Sequence, residues 1–269
     1  MTKTIAVLGC GWLGLPLAVS LVDEGYEVHG STTSKEKLAY LQERKIKPFL
    51  ISLTEKGIEG DIESFLLKVD VLVINIPPKL RSGQKESYID KITLLGKSIR
   101  TSRVKKVIFV SSTSVYGEIE GEVTENTVPK PSTESGRQLY TSEQLLANDN
   151  AFMTTIIRYG GLIGPERHPV TFLSGKQQLT NGAEPVNLIH LNDCIAILKE
   201  IISKDWWGES FNAVFPYHPN KNEYYTKEAQ KRGLVTPDYL PKKENKGKKV
   251  VPEVLLNVKK YRFTTSIVS

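Results

Sequence analysis

The stretch TIAVLGCGWLG, residues 4–14, decides the fold of this chain. Its first part is a short, continuous apolar run, which is typical of a β-strand buried on both faces. The run ends in Gly9-Cys10-Gly11-Trp12-Leu13-Gly14, a G-x-G-x-x-G turn, and residues 15–25 follow with helical spacing. A second apolar run, YEVHG (26–30), completes a strand–helix–strand unit of about 30 residues. In that context the glycine pattern indicates a dinucleotide-binding turn.

The three glycines each have a physical task in such a turn. Gly9 permits the tight turn, Gly11 lets a pyrophosphate approach the backbone, and Gly14 lets the helix pack close to the strand. The helix N-terminus presents free N–H groups and a partial positive charge to the phosphates. We therefore expect Gly9, Gly11, Trp12, Leu13 and Gly14 to line a cofactor site. The alternative is a tight strand–helix turn that binds no ligand.

Apolar strands continue to alternate with helices through the first two thirds of the chain. The pattern predicts further strands at 47–52, 70–76, 105–112 and 154–160, and helices at 35–45, 88–101 and 137–149. Such alternation is typical of an α/β protein with a doubly wound, parallel Rossmann-type sheet. After Gly164-Pro165 the alternation weakens, although a helix at 192–203 and a strand at 209–215 still follow. We predict a dinucleotide-binding domain over 1–160, with its last strand near 209–215, and a smaller C-terminal substrate lobe over 161–269.

The end of the second strand bears on which dinucleotide is bound. NAD-binding folds usually carry Asp or Glu there, to hold the ribose hydroxyls. This chain instead has hydroxyl side chains and one cation, Ser31, Thr32, Thr33, Ser34 and Lys35. Such residues suit a 2′-phosphate, so the sequence favours NADP, with NAD as the alternative.

Composition and charge argue against nucleic-acid binding, a metal site and membrane association. The 269 residues carry a formal net charge of +6, most of which comes from the lysine run KKENKGKK at 242–249. We interpret that run as a solvated loop, and we expect no nucleic-acid partner because no broad basic face accompanies it. The two cysteines and four histidines fall at no metal-ligand spacing, so we expect no metal site. No apolar run is long enough to span a bilayer and the first strand begins at residue 4, so we expect no membrane association and a cytoplasmic protein.

Three segments in the second part of the chain carry a resemblance to a known family. They are VIFVSSTSVYG (107–117), IRYGGLIGP (157–165) and LIHLND (188–193). They resemble, in order, the active-site strand, the sixth-strand region and the I-H-V-x-D segment of the extended short-chain dehydrogenases/reductases, the NAD-dependent epimerase/dehydratase family. The resemblance covers most of residues 4–215. The stretch 218–239 and the glycine motif look like those of an atypical subgroup, the YeeZ-like proteins.

The resemblance implies a set of site residues. In the family pattern, the catalytic Ser or Thr precedes the V-Y-G tyrosine by four positions, which is Ser112, with Ser111 as the alternative by one residue. The family's Y-x-x-x-K element is best matched by Tyr140 to Gln144, so Gln144 replaces the lysine. That lysine holds the nicotinamide ribose and lowers the tyrosine pKa; Gln144 can form a hydrogen bond but supplies no charge. The resemblance also implies cofactor contacts after the fourth and sixth strands. These are Asn75, Ile76, Pro77, Tyr159 and Gly160.

Two functions remain open on the sequence alone. The first is an NAD(P)-dependent epimerase/dehydratase or reductase acting on a small hydroxylated substrate, such as a nucleotide sugar, with Tyr140 as general acid/base and Ser112 holding the same oxygen. The second is a non-catalytic NADP(H)-binding sensor, which the altered Tyr140–Gln144 element favours. The expected partner is a small molecule, and the expected assembly is a monomer or a homodimer.

Overall fold

The computed structural model describes residues 2–78, 86–241 and 247–268. The first half contains, in chain order, β1 (Thr4–Leu8), α1 (Gly14–Asp23), β2 (Glu27–Thr32), α2 (Lys37–Glu43), β3 (Lys47–Leu50), β4 (Ser52–Leu53), β5 (Ile58–Glu59), α3 (Ile62–Leu66), β6 (Val71–Ile74) and α4 (Tyr88–Thr101). The second half contains β7 (Lys106–Ser112), a 3-10 turn (Thr113–Tyr116), β8 (Gly121–Val123), α5 (Glu134–Ala147), β9 (Met153–Tyr159), β10 (Gly161–Ile163), α6 (Val170–Leu173), β11 (Leu188–His190), α7 (Leu191–Ser203), β12 (Ser210–Ala213), α8 (Lys221–Lys231), β13 (Lys248–Val250) and a π-helical turn (Val254–Val258).

Seven strands form one parallel sheet in the order β12-β9-β7-β6-β1-β2-β3. From β1 the chain builds outward through β2 and β3, and then returns to build the other side from β6. The order therefore reverses between β1 and β6, and ligands of such sheets bind at the carboxyl ends of the strands beside this reversal. The predicted α/β fold with a doubly wound parallel sheet is confirmed.

Each face of the sheet carries its own core, because successive strand side chains point to opposite faces. On β1, Ile5 and Val7 belong to one apolar cluster, which includes buried residues of α1, α2 and α7. Ala6 and Leu8 belong to the other, which includes buried residues of α3, α4 and α5. A strand buried on both faces must be apolar throughout, which explains the continuous run in the sequence.

A third, smaller cluster forms a lobe beyond β9. Its buried residues come from β10, α6, β11 and α8, together with Ile267 near the C-terminus. Asp193 at the start of α7 is fully buried. Its carboxylate accepts hydrogen bonds from the backbone N–H of Thr264 at 2.9 Å and of Thr265 at 2.9 Å, and from the Tyr261 hydroxyl at 3.0 Å. The C-terminal tail, residues 261–267, is thus attached to the sheet domain at Asp193 and to the lobe at Ile267.

The prediction that the lysine run at 242–249 is a solvated loop is wrong for its last two lysines. Residues 242–246 lie outside the described residues, but Lys248 and Lys249 belong to β13, which pairs in parallel with β8. These two lysines are therefore part of ordered secondary structure and not of a solvated loop. Across the described ranges, no helix combines the length and the apolar character that crossing a bilayer requires.

Candidate functional site

The glycine turn lies where the strand order reverses, between the carboxyl ends of β1 and β6. Gly9 has a φ of +103°, a left-handed conformation that favours glycine. Its N–H donates to the Ser31 hydroxyl at 2.9 Å, and its carbonyl accepts from the Asn75 side-chain amide at 3.0 Å. The ends of β2 and β6 thus hold the turn from both sides.

The space around the three glycines fits a dinucleotide. A Cβ on Gly14 would lie 2.1 Å from the Gly9 carbonyl oxygen, and a Cβ on Gly9 would lie 2.6 Å from that of Asn75. A Cβ on Gly11 would meet nothing within 4 Å. The start of α1 at Leu13 has no side-chain cap. The Leu15 N–H donates to the Gly11 carbonyl at 3.0 Å, but the N–H groups of Trp12 and Leu13 have no acceptor among the described residues and are available to an anion. Gly9 and Gly14 are therefore required by packing, whereas Gly11 leaves the open surface that a pyrophosphate needs.

At the end of β2, two of the residues predicted to contact a 2′-phosphate, Ser31 and Thr32, are buried. Ser31 is 2 % exposed, and its hydroxyl accepts from Gly9, so it shapes the turn instead of facing a ligand. Thr32 is also buried, and its hydroxyl accepts from the Ser34 N–H at 3.2 Å. The Ser34 hydroxyl donates to Glu36, an exposed acid one residue beyond the predicted contacts. Thr33 and Lys35 are exposed just after β2.

Ser112 ends β7 on the same carboxyl edge, two strands from the glycine turn. It is half-buried, and its hydroxyl accepts from the Ser114 N–H at 3.1 Å, which starts the 3-10 turn. A hydroxyl that accepts one bond still has its proton to donate. Ser111, the alternative, is buried and donates to Glu143 at 2.5 Å. Ser112, and not Ser111, is thus the hydroxyl available to a ligand.

A buried ion pair supports this edge of the sheet. The Glu143 carboxylate on α5 accepts from the Arg158 guanidinium on β9, with a shortest distance of 2.7 Å, and both side chains are almost fully buried. Arg158 also donates to the Tyr116 hydroxyl at 2.9 Å, which donates in turn to Asn212 on β12 at 2.8 Å. Burial opposes the charge of Arg158, but hydrogen bonds and the charge of Glu143 outweigh it and raise the guanidinium pKa. Burial raises the Tyr116 pKa.

Tyr140 and Gln144 occupy α5 at different exposures. Tyr140 is half-buried and packs against the apolar cluster on its face of the sheet. Gln144, one turn further along, is exposed. Among the described residues, no hydrogen bond joins either side chain to Ser112. Their predicted catalytic roles remain predictions.

The residues predicted beside the nicotinamide are mostly structural. Tyr159 is 2 % exposed, and its hydroxyl donates to the Cys194 carbonyl at 2.9 Å, so its side chain does not face the cleft as predicted. A Cβ on Gly160 would lie 2.6 Å from the Asn187 carbonyl oxygen, so glycine is required there by close packing. In the loop after β6, Ile76 is half-buried against Gly9 and Pro77 is exposed, and their predicted cofactor contacts remain predictions.

Lys248 belongs to this edge of the sheet, although the sequence did not indicate it. Its ammonium donates to the carbonyls of Thr113 at 2.8 Å and Gly117 at 2.9 Å, on either side of the 3-10 turn that follows Ser112. Burial lowers the Lys248 pKa. Lys248 lies inside the lysine run at 242–249, and the composition of that run predicts a solvated segment instead of a structural contact. A cation at this turn therefore comes from β13, far along the chain from Ser112.

The model of the NAD dependent epimerase/dehydratase family matches residues 5–182, about two thirds of the chain. The chain belongs to this family. The family match includes the glycine turn, Ser112, Tyr140 and Arg158, whereas Lys248 and the C-terminal tail lie beyond its last residue. The family resemblance that the sequence showed is confirmed.

Relatives of this family member extend the comparison over nearly the whole chain. It is 35% identical to Protein YeeZ of Escherichia coli (strain K12) over 238 residues, which is 88% of this chain and 86% of that protein. Among solved structures, the UDP-glucuronic acid 4-epimerase from Bacillus cereus, in complex with UDP-glucuronic acid and NAD, has a TM-score of 0.79 at 18% identity, covering 98% of this chain and 95% of that one. A functionally unknown conserved protein from Silicibacter pomeroyi DSS has a TM-score of 0.77 at 21% identity, covering 97% and 93%. At these identities the two solved structures establish the shared fold alone.

Proposed function

We propose that this protein is a nicotinamide-dependent epimerase/dehydratase or reductase that acts on a hydroxyl group of a nucleotide sugar. The observation that carries the proposal is the position of Ser112 relative to the glycine turn. Both lie on the carboxyl edge, separated by β6, so they are roughly 10 Å apart across the sheet. A dinucleotide whose pyrophosphate lies in the turn extends along this edge towards Ser112.

Family membership and the named relatives support the substrate class. The Bacillus cereus structure is of an enzyme described as acting on UDP-glucuronic acid. A protein of Bacillus subtilis, named as an uncharacterized UDP-glucose epimerase, is 24% identical over 78% of this chain and 76% of its own length. A sugar nucleotide is therefore the first class of substrate to test.

In the proposed reaction, the bound nicotinamide supplies the hydride acceptor or donor. Ser112 donates a hydrogen bond to the substrate oxygen and stabilises the charge that develops there. Tyr140 exchanges the proton of that oxygen as general acid/base, and Gln144 offers a neutral hydrogen-bonding amide. Tyr140 then works without an ammonium group at position 144, so we expect it to be a weaker base than its counterpart in enzymes that keep the lysine.

We further propose that the protein prefers NADP to NAD. Two features support this preference: the residues after β2 carry no acid before Glu36, and Thr33 and Lys35 are exposed there. Changing Thr33 to Asp adds a carboxylate where a 2′-phosphate would lie. We expect this change to weaken NADPH binding about tenfold relative to NADH binding, through like-charge repulsion. Equal effects on both cofactors would contradict the preference.

The first experiment is a calorimetric titration of the protein with NADP⁺, NADPH, NAD⁺ and NADH in turn. Micromolar binding supports the site, and turnover of nucleotide sugars is then followed by nicotinamide absorbance. Ser112→Ala should lower turnover by about 10²-fold, as the loss of one preorganised donor does, while cofactor affinity stays unchanged. Tyr140→Phe should abolish proton transfer. If the protein bound none of the four cofactors, the proposed function would be refuted.

A second candidate is a non-catalytic NADP(H) sensor. The observation that favours it is Gln144, which lacks the charge of lysine and is exposed on α5. Such a protein binds the cofactor tightly but turns over none of the sugar nucleotides. Gln144→Lys discriminates, because a large gain in turnover would show that the native site is not arranged for efficient catalysis.

We also propose a cytoplasmic location and a monomeric or homodimeric state. The two cysteines, Cys10 and Cys194, are buried free thiols, which suits a reducing compartment. Helices α4 and α5 are the surfaces on which a homodimer would form. Light scattering on the purified protein, with and without cofactor, measures the assembly directly.

A further inference from the structure

Trp12 connects the glycine turn to the loop that follows β10. Its indole N–H donates to the Pro165 carbonyl at 3.1 Å. A Cβ on Gly164 would lie 3.0 Å from the indole ring, so the loop passes directly against it. The loop is closed by two backbone hydrogen bonds between Gly164 and Arg167, at 2.9 and 3.1 Å. Trp12 is therefore fixed by a segment more than 150 residues away in the sequence.

The same loop brings a guanidinium to the turn. The Arg167 side chain stacks on the Trp12 ring, with its central carbon 4.8 Å from the ring centre. Arg167 is exposed, and within the described ranges its guanidinium has neither a carboxylate partner nor a hydrogen-bond acceptor. Its five N–H donors are therefore free on a side chain whose orientation the indole fixes.

We propose that Arg167, held on the ring of Trp12, binds the pyrophosphate of the dinucleotide at the glycine turn. The turn itself supplies only neutral N–H groups and the partial charge of a helix N-terminus, about half a unit. A pyrophosphate carries more charge than that, and an arginine fork matches phosphate oxygens with two parallel hydrogen bonds. This inference rests on the proposed function, because it needs a dinucleotide in the turn.

The test compares Arg167→Gln with the wild type in titrations with NADPH, NADH, ADP-ribose and adenosine. We expect Arg167→Gln to weaken the three pyrophosphate ligands at least tenfold, as the loss of a charge-assisted hydrogen bond does, and to leave adenosine binding unchanged. The loss should shrink at high salt. Arg103→Gln is the matched control, since Arg103 is also exposed but lies beyond the end of α4, before the amino end of β7. It should bind all ligands as the wild type does.

The role of Trp12 gives a second, independent measurement. Trp12→Leu removes the stacking surface, and we expect it to weaken NADPH binding by itself but to add little in the double variant with Arg167→Gln, because the two side chains act as one unit. Wild-type affinity in Arg167→Gln, or an equal loss for adenosine, would overturn the inference while leaving the cofactor site itself intact. A wild-type protein that binds no dinucleotide would instead refute the proposed function.

Discussion

At the scale of single residues, Glu143 has the most constrained environment of the site. Its carboxylate receives the Ser111 hydroxyl and the Arg158 guanidinium in a region from which water is excluded. A buried charge is tolerated only when it is paired and hydrogen-bonded. The pair therefore links α5 to the ends of β7 and β9, beside the hydroxyl of Ser112.

We expect Glu143→Gln to destabilise the protein by about 3 kcal/mol, because it leaves the Arg158 guanidinium buried without a counter-charge. Equilibrium unfolding in urea measures the loss. Glu134→Gln on the same helix is the control; Glu134 forms an exposed pair with Arg137, so its removal should change little. A loss below about 1 kcal/mol for Glu143→Gln would contradict this account.

Hydrogen bonds that the sequence does not reveal explain why two predicted ligand contacts are buried. Ser31 and Tyr159 stand near strand ends, where a ligand was expected, but the Ser31 hydroxyl accepts from the Gly9 N–H and the Tyr159 hydroxyl donates to the Cys194 carbonyl. Because both faces of these strands are covered, alternation along the strand does not separate ligand-facing side chains from packed ones. Gly9 and Gly14 were predictable because their roles follow from spacing alone.

At the scale of elements, the 3-10 turn after Ser112 depends on β13. Lys248 bridges the carbonyls at both ends of that turn, and Val250 is fully buried in the apolar cluster beneath it. Short strands such as β8 and β13 contain three residues each, too few for an alternation pattern to be recognised. The central strands β1 and β6 of the main sheet could be predicted because burial on both faces makes them almost continuously apolar.

Lys248→Met should destabilise the protein by about 2 kcal/mol, because two buried carbonyls lose a charged donor. We also expect faster amide hydrogen exchange at residues 113–117, measured by mass spectrometry. Lys249→Met, the adjacent residue, removes an exposed pair with Glu122 and should leave the exchange unchanged. Unchanged exchange in Lys248→Met would show that β13 does not hold the turn.

At the scale of the whole molecule, the C-terminal tail joins the lobe to the sheet domain. Both oxygens of the Asp193 carboxylate accept from the tail. Asp193→Asn replaces one carboxylate oxygen with an NH2 group, which cannot accept a hydrogen bond. We expect faster proteolytic cleavage after residue 258 and a stability loss of about 2 kcal/mol. Asn192→Ala is the control, because Asn192 is an exposed neighbour. Equal cleavage rates in both variants would show that Asp193 does not hold the tail.

The four histidines give the molecule a common response to acid. Burial lowers the pKa of His29, His168, His190 and His218 below 6.5, that of His168 to about 4. Each is therefore harder to protonate in the folded chain than in the unfolded one. Their contribution to stability is complete above about pH 6.5 and is lost as the pH falls towards 4. Urea unfolding at pH 7, 6 and 5 measures the loss.

His168 should contribute most to this response. Its Nδ1 accepts from the Val170 N–H at 3.2 Å, which requires an unprotonated nitrogen. In His168→Asn the amide oxygen replaces that acceptor without titrating. The variant should therefore show a flatter dependence of unfolding free energy on pH, and a slope as steep as that of the wild type would assign the response to other groups.

Synthesis on the ribosome proceeds from the N-terminus, and domains generally fold in that order. The last strand of the main sheet ends at Ala213, whereas the contacts that fasten the lobe come from residues 261–267. The nascent chain can therefore assemble the complete sheet before the donors of residues 261–265 have emerged. During that interval the carboxylate of Asp193 has not yet received its hydrogen bonds from the tail. We expect this interval to be the stage at which the newly made protein most needs a chaperone.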